Sequence, residues 1–162
     1  VAKRIVIDLN KCDQCASCGV QCAYFYRPHS QDNGAFVLRE KATYALICRR
    51  CEYPSCVVSC PYDALERQAD GTLKRHNLRC VSCKLCAHAC PFGTIFPDML
   101  GFYETPCDYC LKQHNGDPPC TRTCSRGAIQ YREVDEDDPE IHIIDDHLAA
   151  RARKWVKREE TA

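Results

Sequence analysis

No apolar run in this 162-residue chain approaches the roughly 18–20 residues that a membrane-crossing helix needs, so no span is expected. Charge of either sign is not in excess: 22 basic and 22 acidic residues cancel, and no global field points to nucleic acid. A phosphate-cradling glycine loop, a Ser-His-Asp order and a paired carboxylate site are all missing. Substrate chemistry is therefore not expected, and the chain reads as non-catalytic on its own. No apolar signal segment and no twin-arginine leader precede the first strand, so the expected location is cytoplasmic. Apolar material is scarce as well. The hydrophobic fraction of 45% includes 16 cysteines, which leaves roughly 35% to build a core, thin for a globular domain. Bound metal must then supply part of the folding energy.

What the chain does have is cysteine, in four groups of four: Cys12, Cys15, Cys18, Cys22; Cys48, Cys51, Cys56, Cys60; Cys80, Cys83, Cys86, Cys90; and Cys107, Cys110, Cys120, Cys124. None is left over. Every group begins CxxC and ends CxxxC, and only the middle gap varies. The third group, CVSCKLCAHACP from Cys80 to Pro91, is the unbroken run CxxCxxCxxxCP that holds a [4Fe-4S] cube, with three thiolates on one cube and the fourth directed to another. Proline after that fourth cysteine turns the chain away. A disulfide scaffold belongs to short secreted chains, and structural zinc prefers two well-separated CxxC knuckles. The crowded triple CxxCxxC of groups one and three fits neither. Four complete quartets imply four [4Fe-4S] clusters, with all sixteen cysteines as iron ligands. With every cube supplied, His29, His76, His88, His114, His142 and His147 are not expected to be ligands.

Along the chain, Arg4 to Leu9 alternates as a short strand that runs into Cys12. Tyr24, Phe25 and Tyr26 follow the first group, either to shield a cluster or simply to pack. Phe36 to Ile47 reads as a strand leading into Cys48. Nineteen residues separate Cys60 from Cys80, and Asp70-Gly71 there joins two short strand-like runs into a hairpin. Groups two and three thus form one ferredoxin-like unit, each lending its last cysteine to the other's cube, which leaves groups one and four to pair around it. The stretch from Phe92 to Thr105 reads as a second short link containing β structure. The nine-residue gap after Cys110 reads as a surface excursion. Ser125 stands where groups two and three have proline, and either tunes a cube by hydrogen bonding to it or faces solvent. Gly127 to Val134 and Glu140 to Ile144 read as strands around an acidic turn. Asp145 or Asp146 then caps a helix with Leu148, Ala152, Trp155 and Val156 on its apolar face and Arg151, Arg153, Lys154, Lys157 and Arg158 on the other. That helix is expected to pack on the domain or dock a partner.

The segments CRRCEYPSCVVSCPYDAL, DGTLKRHNLRCVSCKLCAHACPFGTI and CDYCLKQHNGDPPCTRTCSRGAI, with the opening KCDQCASCGVQC, resemble the four-cluster iron–sulphur subunits of molybdenum and tungsten oxidoreductases, hydrogenases and carbon monoxide dehydrogenases. The likeness is strongest to short cytoplasmic members, such as those serving tungsten aldehyde oxidoreductases, formate dehydrogenases or hydrogenases. It implies an α+β fold of two pseudo-symmetric bacterial ferredoxin-like modules with two [4Fe-4S] clusters each, short strands, little regular structure and a C-terminal helix. The outer module takes 1–47 with 91–135, the inner module 48–90, and residues 136–162 add a hairpin strand and the amphipathic helix. Carried over position by position, the resemblance implies one cube on Cys12, Cys15, Cys18 and Cys124, and a neighbour on Cys107, Cys110, Cys120 and Cys22. The inner pair is then Cys48, Cys51, Cys56 with Cys90, and Cys80, Cys83, Cys86 with Cys60. The implied function is an electron wire between a catalytic subunit (a tungsten or molybdenum aldehyde or formate enzyme, or a hydrogenase) and a second redox subunit or ferredoxin. Alternatives are a free polyferredoxin, a self-associating filament that conducts electrons, and a structural or oxygen-sensing iron–sulphur protein.

Overall fold

The computed structural model describes residues 2–12, 15, 18–22, 34–101, 107–112, 117–135 and 137–152. Strand β1 (Lys3–Asp8) leads into the single-turn helix α1 (Leu9–Cys12), and a longer helix, α2 (Gly34–Leu46), follows. Next come α3 (Ser55–Val58), the hairpin strands β2 (Leu65–Arg67) and β3 (Leu73–Arg75), α4 (Leu85–Ala89) and a 3-10 turn at Pro97–Met99. The chain continues with α5 (Pro119–Thr123), β4 (Ile129–Glu133), β5 (Ile141–Ile143) and β6 (Leu148–Arg151). The α+β class implied by the family resemblance is what this element list gives.

Four strands form one sheet in the order β4-β1-β6-β5. β1 runs antiparallel to β4, with Ile7 opposite Ile129, and parallel to β6, with Ile5 opposite Leu148. Because side chains alternate across a strand, Ile5, Ile7, Leu148 and Ala150 share one face, where they pack with Leu38, Ala42 and Ile129. Val6 and Ala149 take the other face with Val134 and Ile141. A central pair of strands buried on both sides fits the unbroken apolar runs Ile5–Ile7 and Leu148–Ala150.

Two expectations are corrected here. Phe36 to Ile47 lies in a helix, α2, instead of a strand. Of its residues only Val37 and Thr43 are β-branched within the helix, while Leu, Arg, Glu, Lys and Ala favour helix. Ala35, Leu38 and Ala42 face the large sheet, whereas Tyr44 packs with Leu65, Leu73, Ile95 and Leu100 beside the hairpin. A helix apolar on two sides shows no single stripe, which is why its pattern passed for a strand. Second, Leu148 begins a strand and not a helix. Asp145 does cap, but it caps a turn: its Oδ1 accepts from the N–H groups of His147 and Leu148 at 2.8 Å each. An Asp that turns the chain in this way carries the same local signal as a helix N-cap. Trp155, Val156, Arg153, Lys154, Lys157 and Arg158 lie outside the described residues, as do Tyr24, Phe25 and Tyr26.

The Asp70-Gly71 turn does join an antiparallel hairpin, Leu65 opposite Arg75. Gly71 has φ +82°, and a Cβ there would sit 3.4 Å from Arg50 Cβ, so the position favours glycine. In the link after Cys90 the described residues hold only the 3-10 turn and no strand.

One buried ion pair ties α2 to the hairpin. Arg75 Nε meets Glu40 Oε2 at 2.6 Å, with side chains 1% and 5% exposed, and the guanidinium also donates to the Gly101 and Met99 carbonyls. Removing one partner strands a buried charge. Glu40→Ala is therefore expected to destabilise the protein by about 3–5 kcal/mol, and pairing Glu40→Leu with Arg75→Met to recover most of that loss. Anaerobic chemical denaturation followed by circular dichroism measures both; equal loss in the single and double variants would count against it.

Candidate functional site

In groups two, three and four the cysteines sit on a loop that curls back on itself ahead of a short helix, α3, α4 and α5 respectively. In group three Ser82 and Lys84 take φ +58° and +65°, in group two Arg50 takes +52°, and in group four Tyr109 and Cys110 take +67° and +53°. Left-handed residues at or between the cysteines bend the backbone tightly, and such turns form concavities suited to an anion. A cube with its thiolates carries net negative charge, so such loops suit it.

Four separate cavities result. The first is lined by Cys12, Cys15, Cys18 and Cys124, with Val20, Ala35, Phe36 and Ile129 as apolar wall. Cys48, Cys51, Cys56 and Cys90 line the second, and Cys60, Cys80, Cys83 and Cys86 the third. Cys22, Cys107, Cys110 and Cys120 line the fourth, with Ile5, Leu38 and Pro118. All sixteen cysteines are thus brought to a cavity, and in each case the fourth thiol comes from a different group. The first cavity has about 260 Å³ of free space and the others about 20 Å³ each. Free space for water understates the room for a cube, because its iron bonds to the wall sulphurs at far less than van der Waals contact.

The donor chemistry fits that group. Among the described residues no three of His, Cys, Asp and Glu converge on a single-ion position; a cube is wider than one ion and needs its ligands apart. The last cysteine of a group receives hydrogen bonds suited to thiolate. Ala64 N–H donates to Cys60 Sγ and Ala128 N–H to Cys124 Sγ, both at 3.3 Å and both four residues on. Burial alone would push the Cys90 thiol up, but N–H groups of Thr94, Phe92 and Ile95 and the Thr94 hydroxyl bring it below its ordinary value. Elsewhere burial wins. It pushes Cys86 up to about 11, helped by Cys80. Burial lifts Cys110 to about 12 with Asp108 adding to the effect, and Cys120 to about 12 with Cys107 adding. Thiols so raised keep their protons at neutral pH until a metal displaces them.

Two features were not legible in the cysteine pattern. α2 is a shared wall: Ala35 and Phe36 line the first cavity, and Ala35 and Leu38 the fourth. The spacing of Ala35, Leu38 and Ala42 was the available signal. The other is Tyr44, 3% exposed, whose hydroxyl has no hydrogen-bond partner among the described residues. Its acidity is suppressed first by burial and then by charge on Glu40, with Cys86 and Cys56 contributing. An orphaned donor near thiols of the second and third cavities fits a site built to hold sulphur acceptors.

Around the fourth cavity Tyr109 donates from its hydroxyl to Asp145 Oδ2 and accepts from Lys41 Nζ at 2.8 Å. Its ring packs edge-on against His147. His76 bonds to Glu66 at 2.7 Å; neither histidine is among the described residues lining the four cysteine cavities. Ser125 lines the first cavity but is exposed. His29 and His114 lie outside the described residues.

Compared with known proteins, residues 39–134 match the family described as the 4Fe-4S dicluster domain. Over 145 residues the chain is 32% identical to YsaA of Escherichia coli, assigned by its name to electron transport, covering 82% of this chain and 90% of that one. It is 37% identical over 94 residues to formate hydrogenlyase subunit 2 of Escherichia coli, covering 56% of this chain and 46% of the relative. A tetrathionate reductase subunit of Salmonella typhimurium is 31% identical over 140 residues, with 76% and 55% covered. The chain therefore spans nearly all of the first relative and about half of the other two.

Proposed function

As the chain belongs to the 4Fe-4S dicluster domain family, we propose that it is a non-catalytic electron-transfer protein carrying four [4Fe-4S] clusters, a wire between a catalytic oxidoreductase subunit and a second redox partner. The observation that carries this reading is the set of four cavities, each lined by four cysteines and each drawing its fourth from a remote group. Such a cluster supplies one-electron redox chemistry, with potentials from roughly −700 to +450 mV. The protein's own part is to hold thiolates at fixed corners, to donate N–H groups to sulphur at Cys60 and Cys124, and to keep water away with Val20, Ile5 and Leu38. The names of relatives assigned to formate hydrogenlyase and tetrathionate reductase support a place alongside a catalytic partner; a tungsten or molybdenum aldehyde or formate enzyme, or a hydrogenase, is the class proposed for this chain.

Within this proposal the second and third cavities form an inner module and the first and fourth an outer one. A cytoplasmic location is part of the proposal, and among the described residues no helix is long and apolar enough to cross a membrane. Elemental analysis of anaerobically prepared protein is expected to return about sixteen irons and about sixteen sulphides per chain. Near eight irons would sink the four-cluster count, and zinc as the main metal would sink the whole reading.

A further inference from the structure

Charge is distributed unevenly around the four cavities. At the first, Arg39 pairs with Asp98 at 3.1 Å. At the third, Arg75 is neutralised by Glu40 and Lys84 adds one exposed cation. Among the described residues no charged side chain lines the fourth. The second has three arginines in its wall, Arg49, Arg50 and Arg67, and none is in an ion pair among the described residues. Arg50 donates to the Ala45 carbonyl at 3.3 Å and Arg67 to the Glu52 carbonyl at 3.0 Å, so both keep their full charge. Arg49 lies over the Phe92 ring, 5.6 Å from its centroid. Asp70 is the acid on which Arg50 acts, and there the Thr72 hydroxyl is the larger influence.

Apolar surface is exposed beside the second cavity. Phe92, in the cavity wall, is 58% exposed, while Tyr53, next in sequence to the wall residue Pro54, and Val58, on α3 with the wall residues Ser55 and Cys56, are each 84% exposed. Single exposed apolar residues need no explanation. Here an exposed aromatic of the wall, Phe92, and an exposed tyrosine adjoining the wall residue Pro54 accompany three guanidinium groups that form no ion pair among the described residues. Aromatics and arginine are the residue types that dominate protein interfaces.

We propose that the mouth of the second cavity is the docking surface for a one-electron redox protein whose own surface is acidic around its redox group. The inference rests on the four-cluster reading above and names the port of that wire. Arginine charge steers an acidic partner and fixes its orientation, and the Tyr53 and Phe92 rings give it a dry contact. A single electron crosses: the partner is oxidised by one and this chain reduced by one, with no bond made and no proton required.

The test is stopped-flow reduction of the intact, cluster-loaded protein by a reduced, strongly acidic bacterial ferredoxin, with iron content measured on the same samples. The second-order rate constant is expected to fall as salt rises. Reversing both Arg49→Glu and Arg50→Glu is expected to lower it at least tenfold at low salt and to abolish that salt dependence, with iron unchanged. Lys3→Glu with Lys112→Glu, the same charge change at exposed positions elsewhere, is expected to leave it alone. An unchanged rate in the arginine variant, or a loss on Lys84→Glu instead, overturns the proposal while full iron leaves the wire reading standing. Should the arginine variant lose iron, the unaltered protein still decides: a rate indifferent to salt overturns the docking surface. Low iron in the unaltered protein would point instead to failure of the four-cluster reading.

Discussion

Alanine in place of Cys60 is expected to strip the third cavity and leave the second, which its own neighbours line, intact. Cys60 follows Cys56 by one turn of chain, yet the two sulphurs face different cavities: Cys56 joins Cys48, Cys51 and Cys90, and Cys60 joins Cys80, Cys83 and Cys86. α3 sends one thiol inward from its middle and releases the next beyond its end, where the Ala64 N–H reaches back to it. Iron is expected to fall from about sixteen to about twelve per chain. Electron paramagnetic resonance of the Cys60→Ala protein should then lack the same signal as Cys80→Ala and keep the one lost in Cys48→Ala. The opposite grouping would mean that each run of cysteines serves a single cube, against the crossed arrangement.

A larger loss is expected from ending the chain after Asp145. β6 lies between β1 and β5, and Leu148, Ala149 and Ala150 are each 0% exposed. Burying Leu148 alone contributes roughly 1.5–3 kcal/mol, and the backbone bonds of two ladders go with it, including Ile5 N–H to the His147 carbonyl at 2.8 Å. Against a total stability of about 5–15 kcal/mol, the large sheet is not expected to survive. Since Ile5 lines the fourth cavity and Ile129 the first, both outer cavities should lose their iron, leaving about eight irons at most. A soluble, fully loaded truncated protein would show that β6 is dispensable.

The docking role expected for a C-terminal helix does not carry over to 148–151, because those residues are core. Asp145 misled here: an Asx turn that starts a strand and one that starts a helix share the same residue and the same accepted N–H groups, and only the partner strand tells them apart. That partner, β1, lies far back in the chain, and no local window contains it. Cysteine grouping was legible because thiol spacing is a local property of a loop. So was the Asp70-Gly71 hairpin, whose turn chemistry is complete in a few residues. α2 was illegible for the opposite reason: it serves the sheet with Leu38 and the hairpin side with Tyr44, so its apolar positions follow two neighbours at once. The unpaired arginines of the second cavity also lay beyond sequence, since Arg75 and Arg67 look alike until Glu40 is found beside one of them.

The parallel pairing of β1 with β6 has a consequence for how the protein is made. Translation delivers domains from the N-terminal side onward, and by the time Cys90 has emerged the chain holds every thiol of the second and third cavities. Their hairpin and helices contact one another over short separations. The first cavity must wait for Cys124 and the fourth for Cys120, and the sheet that walls both lacks the second of its two central strands until Leu148–Arg151 arrives to lie along residues 5–8. Contacts of such long separation form late. Cys12, Cys15, Cys18 and Cys22, the first thiols synthesised, therefore spend the longest time without their partners. On the four-cluster proposal the inner pair of sites is expected to be completed before the outer pair, so a shortage of iron during synthesis is expected to show first in the outer pair.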